Sequence, residues 1–568
     1  MDMSIITYDS KIDIEQHFKI TAGPGAGKTK FLINHIKNVL HNSERLGRNR
    51  KIGCITYTNV GVETILQRLG DEADHVEVST IHSFLFTHIV KPYLYLISNK
   101  YKINLMKVDS PYEHIVSKGF FLKTGLDKKY IKEPEMKKIF WVIDGVNCNL
   151  HIKGRTSDFH RSLMNYKNMF WEKGIIHYED VLAFAWEILN FSKDILRVIR
   201  SKFPYFFIDE FQDTNPIQAE IIKLIAKKET IIGVIGDKAQ SIYEFQGADV
   251  KQFNKFKLPG MINYKMEDNH RSTKKIIDLL NGIRKDIVQK SPEKKPGNLP
   301  VLLIGKPLQA VKYAQTLVDG ESITTLSYSN LMANSVRNNR EYNANQKGLP
   351  IDEAFVDSDS NRRKIFVSII KAIEYARLSH YKDAIKELSR HLSMTDDYNG
   401  QKTALIVIKI MLNDYHEYSN KALWTLYEKV IGCRQFQISK IRESKNGNPP
   451  SAIETYYKNT LYSNIALNVK IAEDAGLHRT IHKAKGSEFD NVLVIVKGKD
   501  GYNYNEERDL GFLLNPDIGG NEDHRVNYVA CSRARENLFI CVPEISDEAK
   551  NKLIGRFKMV SITNLNNF

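Results

Sequence analysis

Apolar residues along this chain fall into two spacings. Short unbroken apolar runs read as buried strands, and apolar positions three and four apart read as helices packed on one face. Phe18-Lys19-Ile20 is a short run of the first kind. After a glycine-rich interruption, Phe31-Leu32-Ile33-Asn34-His35-Ile36, continuing to Val39-Leu40, has the helical spacing. Tyr205-Phe206-Phe207-Ile208 is aromatic and β-prone, and Ile323-Thr324-Thr325-Leu326-Ser327-Tyr328 reads as another buried strand. Residues from about 345 to 470 look mainly helical, with segments such as Arg363–Ala376 and Tyr381–Leu392. Lys290-Ser291-Pro292-Glu293-Lys294-Lys295-Pro296-Gly297-Asn298 is charged and rich in proline and glycine, the pattern of an exposed loop.

The glycine-rich interruption is Ala22-Gly23-Pro24-Gly25-Ala26-Gly27-Lys28-Thr29. Strand, glycine loop and helix in that order are the context of a phosphate cradle. Glycines let backbone N–H groups converge on a phosphate, and the following helix adds positive potential at its N-terminus. Lys28 would reach the β- and γ-phosphates, and the Thr29 hydroxyl would hold Mg²⁺. Ala22 stands where the formal pattern has glycine. Such a loop needs a metal-binding acid on a neighbouring strand. Tyr205–Ile208 runs into Asp209-Glu210-Phe211-Gln212-Asp213-Thr214. Asp209 suits the Mg²⁺ shell, and Glu210 suits orienting and deprotonating an attacking water.

Composition narrows the partner. The formal net charge of +15 favours a polyanion, because each neutralised phosphate releases counterions. The five cysteines, Cys54, Cys148, Cys433, Cys531 and Cys541, form no C-x-x-C pair and no secreted framework, which fits a reducing cytoplasm. Met1–Lys11 lacks a signal-peptide apolar block, and no apolar stretch is long enough to span a bilayer.

Asp209–Thr214 resembles motif II of the UvrD/Rep branch of superfamily 1 helicases, and the other motifs follow in family order. Ile55–Asn59 resembles motif Ia, Ser79–Phe84 motif Ib and Gly236–Ala248 motif III. Glu267–Ser272 resembles motif IV, Thr480–Phe489 motif V and Tyr528–Arg535 motif VI. The resemblance implies an α/β fold of two RecA-like parallel-sheet domains with ATP in the cleft between them, each domain carrying a mainly helical insertion. It divides the chain into a first motor domain at 1–85 and 176–260 with an insertion at 86–175. A second motor domain follows at 261–345 and 471–568, with a helical insertion at 346–470.

The resemblance assigns roles residue by residue. Gly23, Gly25, Ala26, Gly27, Lys28, Thr29 and Lys30 would bind the nucleotide, with Glu488 on the ribose hydroxyl. Thr29 and Asp209 would hold Mg²⁺, and Glu210 would act as base. Gln240 would sense the γ-phosphate, while Arg271 and Arg533 would stabilise charge on the transferring phosphoryl group. Thr56, Asn59, Thr80, His82 and His482 match positions that touch a DNA strand. Tyr243 and Phe245 match rings on which bases stack, which suits a motor that tolerates any sequence. Several positions depart from the family: Gln16 lies too near the loop for a standard Q motif, Lys30 replaces an arginine, His270 a tyrosine and Gln246 an arginine.

The first insertion interleaves lysines and rings: Lys118, Phe120, Phe121, Lys123, Lys128, Lys129, Tyr130, Lys132, Lys137, Lys138, Phe140 and Trp141. That pattern suits either a strand-binding groove or a small helical domain with solvated lysines. Ile176–Leu182 resembles the segment re-entering the first motor domain. The resemblance implies a 3′-to-5′ translocase or helicase on single-stranded or tailed DNA. On size and shared motifs the chain also resembles the UvrD-like subunit of bacterial antiphage systems such as Gabija, paired there with an OLD-family nuclease. That second reading makes it a regulatory, DNA- or nucleotide-sensing ATPase. A small-molecule kinase would leave motifs Ia, Ib and III to VI unexplained. The sequence offers no acid-and-lysine cluster outside the ATPase that would make a nuclease centre.

Overall fold

The computed structural model describes residues 3–113, 117–124, 131, 133–156, 159–227, 229–293, 295–341, 348–392, 397–433, 435–444, 449–471, 476–498 and 501–562. Lys128, Lys129, Tyr130, Lys132 and Lys294, the side chain of Lys118 and the expected boundary at 345–346 lie outside them.

The chain forms two units, Met1–Asn298 with Asn515–Ser532, and Leu299–Leu514 with Arg533–Phe568. Each is built on one parallel sheet. The first has β1 (Ser4–Ile5), β2 (Phe18–Ala22), β3 (Ile52–Thr56), β4 (Val76–Thr80), β5 (Tyr205–Ile208), β6 (Ile231–Gly236) and β7 (Ile262–Met266). Its order is β1-β7-β2-β6-β5-β3-β4. The second has β8 (Val301–Ile304), β9 (Thr324–Ser327), β10 (His478–Thr480), β11 (Phe489–Ile495), β12 (Ala534–Val542) and β13 (Lys558–Ser561), in the order β10-β9-β11-β12-β8-β13.

The central strands β5 and β6 of the first sheet are apolar throughout because both faces are covered. Successive side chains point to opposite faces. Phe206 and Ile208 therefore enter one core cluster, while Tyr205 and Phe207 enter another. Among the helices of this unit are α1 (Lys28–Asn42), α2 (Asn59–Leu69), α3 (Tyr178–Phe191) and α4 (Glu522–Cys531). The segment around 345–470 is largely helical, including Ser360–Arg377 and Tyr381–Ser389.

The two compact units divide the chain elsewhere than at the expected 260. β7 pairs with β2 from Ile262↔Phe18 to Met266↔Ala22, which ties residues 261–298 to the first unit. The loop at 290–298 goes with them. Residues 515–532, expected in the second motor domain, also belong to the first unit. On α4, Arg525 Nε donates to the Ser241 carbonyl at 2.7 Å and Arg525 pairs with Glu244. The 86–175 segment adds an antiparallel hairpin, Ile139–Asp144 with Asn147–Ile152, to its helices. In it Phe121 and Trp141 are core residues, whereas Phe140 is exposed.

An acid-and-lysine cluster does exist away from the loop, and it is structural. His177, Glu179 and Asp180 bring potential ligand atoms within 4.8 Å of one another. The buried Lys167 ammonium already sits among them, 2.9 Å from Asp180 Oδ1, 2.8 Å from Glu179 Oε1 and 3.1 Å from His177 Nδ1. Asp180 also accepts from the indoles of Trp141 at 3.0 Å and Trp171 at 2.9 Å. Burial alone would raise the Asp180 carboxyl, but Lys167 and His177 outweigh it and hold it well below the usual range.

His35 on α1 is packed in rings, 4.9 Å from Phe18, 5.1 Å from Phe207 and stacked on Phe31 at 5.8 Å. Burial lowers its pKa to about 4. The unfolded chain, with an ordinary histidine near 6.5, therefore binds the proton first as pH falls. This contribution to stability is complete above pH 6.5 and is lost down to pH 4. Urea unfolding followed from pH 7.5 to pH 5 should show about 2 kcal/mol lost through this group. His35→Phe should flatten that slope. Among the described residues, no helix is long and apolar enough to cross a membrane.

Candidate nucleotide site and strand path

The glycine loop joins β2 to α1. Ala22 is buried as the last residue of β2, so its place needs no glycine freedom. Gly25 (φ 72°) and Gly27 (φ 83°) do need it. A Cβ on Gly25 would also lie 2.4 Å from Asn269 Oδ1. Gly27 begins α1 with no side-chain cap and no acid in the first turn, so the first N–H groups and the positive end of the helix remain available to an anion. Gln289 Nε2 donates to the Pro24 carbonyl at 2.7 Å, and the His270 amide to Gly25 at 3.0 Å.

Asp209 and Glu210 follow β5, two strands away from β2. Burial and then the Glu210 charge push the Asp209 carboxyl up to about 7, against the pull of Lys28 and a hydrogen bond from Thr29. That excess of buried negative charge, beside a hydroxyl oxygen, fits a hard divalent cation held by Thr29 and Asp209. Glu210 has φ 52°, a left-handed backbone for a residue with a Cβ. Gln212 Nε2 donates to its carboxylate, while Gln212 Oε1 accepts from the Asp237 amide at 2.8 Å. Gln240 Nε2 donates to Asp237 Oδ2 at 2.6 Å, and Arg284 Nη1 lies 2.7 Å from Asp237 Oδ1. A buried relay thus connects Glu210 to Gln240. The sequence reading assigned no role to Gln212, Asp237 or Arg284. The first two lie inside motifs and could have been singled out as polar residues at apolar strand ends, whereas Arg284 carries no local signal.

Asn269 Oδ1 accepts the amides of Arg271 at 2.9 Å and Ser272 at 3.0 Å, and Arg271 Nη1 donates to the Ser532 carbonyl at 3.0 Å. In the second unit Arg533 is buried, with Nη1 3.4 Å from the Ser487 carbonyl. Glu488 lies 3.7 Å from Arg535 Nη1, and His482 stands edge-on to Tyr328.

The residues expected to touch a strand divide into exposed and buried positions. Thr56 and Thr80 are ladder partners at the ends of β3 and β4. Thr56 is buried, and Thr80 Oγ1 accepts the Ser83 amide at 3.3 Å. Asn59 is exposed. His82 packs edge-on against Tyr178, and burial lowers its pKa to about 4, so it is neutral at pH 7. Tyr243 is buried and stacks on Tyr57 at 4.9 Å, while Phe245 is 59% exposed. Tyr57, to which the sequence reading gave no role, donates from its hydroxyl to Gln246 at 2.8 Å. Phe245 is the presented ring and Tyr243 its backing.

Residues 9–259 match the UvrD/REP helicase N-terminal domain, and residues 324–544 match the UvrD-like helicase C-terminal domain. The chain belongs to this family of DNA helicases and ATPases. It is 24% identical to the Gabija protein GajB of Bacillus cereus (strain HuB5-5), over 96% of each chain. It is also 27% identical to the ATP-dependent DNA helicase PcrA of Staphylococcus aureus (strain Mu50 / ATCC 700699), over 49% of this chain and 39% of that protein. The likeness to PcrA of Staphylococcus epidermidis is similar, at 28% over the same shares.

Proposed function

We propose that the chain is an ATP-driven translocase on single-stranded DNA, moving 3′ to 5′ in the cytoplasm. The observation that carries this reading is the segment following β6. Within residues 237–247 it holds Asp237 and Gln240, joined by the buried relay to Glu210, and the exposed ring of Phe245. One short stretch of backbone is therefore common to the hydrolytic site and to a base-stacking ring. Lys28 and the loop amides bind the phosphates, Glu210 takes the proton of the attacking water, and Gln240 passes the state of the site to Phe245. Mg²⁺ held by Thr29 and Asp209 would neutralise phosphate charge. Arg271 adds charge stabilisation, an effect worth roughly 10³–10⁵ in rate in phosphoryl-transfer enzymes.

A second reading is a regulatory ATPase that controls a nuclease partner of the OLD family in antiphage defence. It is favoured by the likeness to a Gabija protein along nearly the whole chain. ATP hydrolysis by the purified chain, with and without single-stranded DNA, separates the two. Stimulation by DNA supports the translocase, whereas a folded chain silent with every DNA tried would sink it in favour of the partner-dependent reading. Phe245→Ala should raise the DNA concentration for half-stimulation about tenfold, the scale of one lost base stack. An unchanged concentration would remove Phe245 from the strand path.

A further inference from the structure

We propose that Tyr8, which belongs to no motif, is the ring on which the base of the bound nucleotide stacks; this rests on the ATP-site reading above. The sheet order sets the direction of the nucleotide. The acids follow β5, on one side of β2, while β7 and β1 lie on the other side. A triphosphate cradled after β2 with its γ end at Asp209 and Glu210 therefore extends its ribose and base toward the ends of β7 and β1. His270 follows β7 and Tyr8 follows β1.

Three contacts place the Tyr8 ring at that exit. A Cβ built on Gly27 would lie 3.0 Å from Tyr8 Cβ, so the residue packs against the last glycine of the loop. The ammonium of Lys30, one residue past Thr29, lies 3.6 Å from the ring centre. The imidazole of His270 meets the ring edge-on at 4.8 Å. The segment is fixed to α1 by Asn34 Nδ2, which donates to the Tyr8 carbonyl at 3.1 Å and to Asp9 Oδ1 at 3.3 Å. Lys30 and His270 are two of the positions at which the sequence departs from its family, and both touch this ring. Gln16, the other candidate reader of a base, is exposed beside Gly260.

A base held by stacking is gripped by its face, and every base has a π-face. The site thus selects purines over pyrimidines by the larger face and distinguishes adenine from guanine weakly.

Calorimetric binding of ATP and of inorganic triphosphate, each with Mg²⁺, to the full chain and to Tyr8→Ala and Tyr8→Phe tests this. Tyr8→Ala is expected to weaken ATP about tenfold while leaving triphosphate, which has no base, at wild-type affinity. Tyr8→Phe should keep the affinity for ATP. The proposal is overturned if Tyr8→Ala binds ATP as the wild type does, or if ATP and triphosphate weaken together. A wild-type chain that binds neither would instead overturn the nucleotide site itself.

Discussion

Glu210→Gln is expected to lower DNA-stimulated ATP hydrolysis about a thousandfold while ATP still binds. The substitution keeps the size of the side chain and an oxygen that accepts the Gln212 Nε2 hydrogen bond, so the relay to Asp237 and Gln240 has no reason to come apart. What disappears is the carboxylate proposed above to take the proton of the attacking water. Loss of that charge also removes the second cause of the raised Asp209 pKa, which favours the ionised Asp209 that a metal needs. Nucleotide affinity should therefore hold or tighten as turnover collapses. Steady-state hydrolysis beside equilibrium nucleotide binding reads both. A variant retaining turnover within about tenfold of wild type, below the usual contribution of a positioned base, would exclude Glu210 as that base.

The second large effect is on stability. Lys167→Met should cost the first unit about 3–5 kcal/mol, because it strips the cation from a buried ion pair and leaves the acids uncompensated. Asp180 is bound to two indoles and to the His177 amide, so it cannot turn toward water without breaking the join between the 86–175 segment and α3. The double variant Lys167→Met/Asp180→Asn should recover part of the loss, since a neutral amide needs no counter-charge. Urea unfolding of both variants decides this. A single variant as stable as wild type would mean that the ammonium is not what holds Asp180 ionised.

The strand, glycine loop and helix around Gly23–Thr29 and the buried strand that ends at Asp209 were legible in the sequence because their signals are local. Glycines, lysine and threonine must be contiguous to wrap a phosphate, and Tyr205–Ile208 advertises its burial by composition alone. β7 and the packing of α4 were not legible. β7, Ile262-Asn263-Tyr264-Lys265-Met266, lies one place from the sheet edge, and only Met266 is buried. It has no apolar run to announce a strand. The place of α4 depends on Arg525 reaching Ser241 and Glu244, a pairing across nearly three hundred residues that no local pattern encodes. The ring-and-lysine stretch left two readings open because Trp141 and Phe140, neighbours in sequence, lie on opposite faces of one strand, one buried and one exposed. Tyr8 was invisible because a lone tyrosine acquires meaning only from the loop it packs on.

The chain order of the first unit also bears on how it is made. The ribosome finishes Asn298 long before it reaches residues 515–532; at about 5–20 residues per second the delay is roughly 10–40 s. During that interval the nascent segment after β6 lacks the Arg525 guanidinium that fixes Ser241 and Glu244, and Arg284 lacks the Tyr528 ring beside it. The phosphate loop is therefore synthesised first, but the Gln240–Phe245 stretch settles only after most of the second unit has emerged. A translation product that stops before residue 515 carries the glycine loop without this last brace on Ser241 and Glu244.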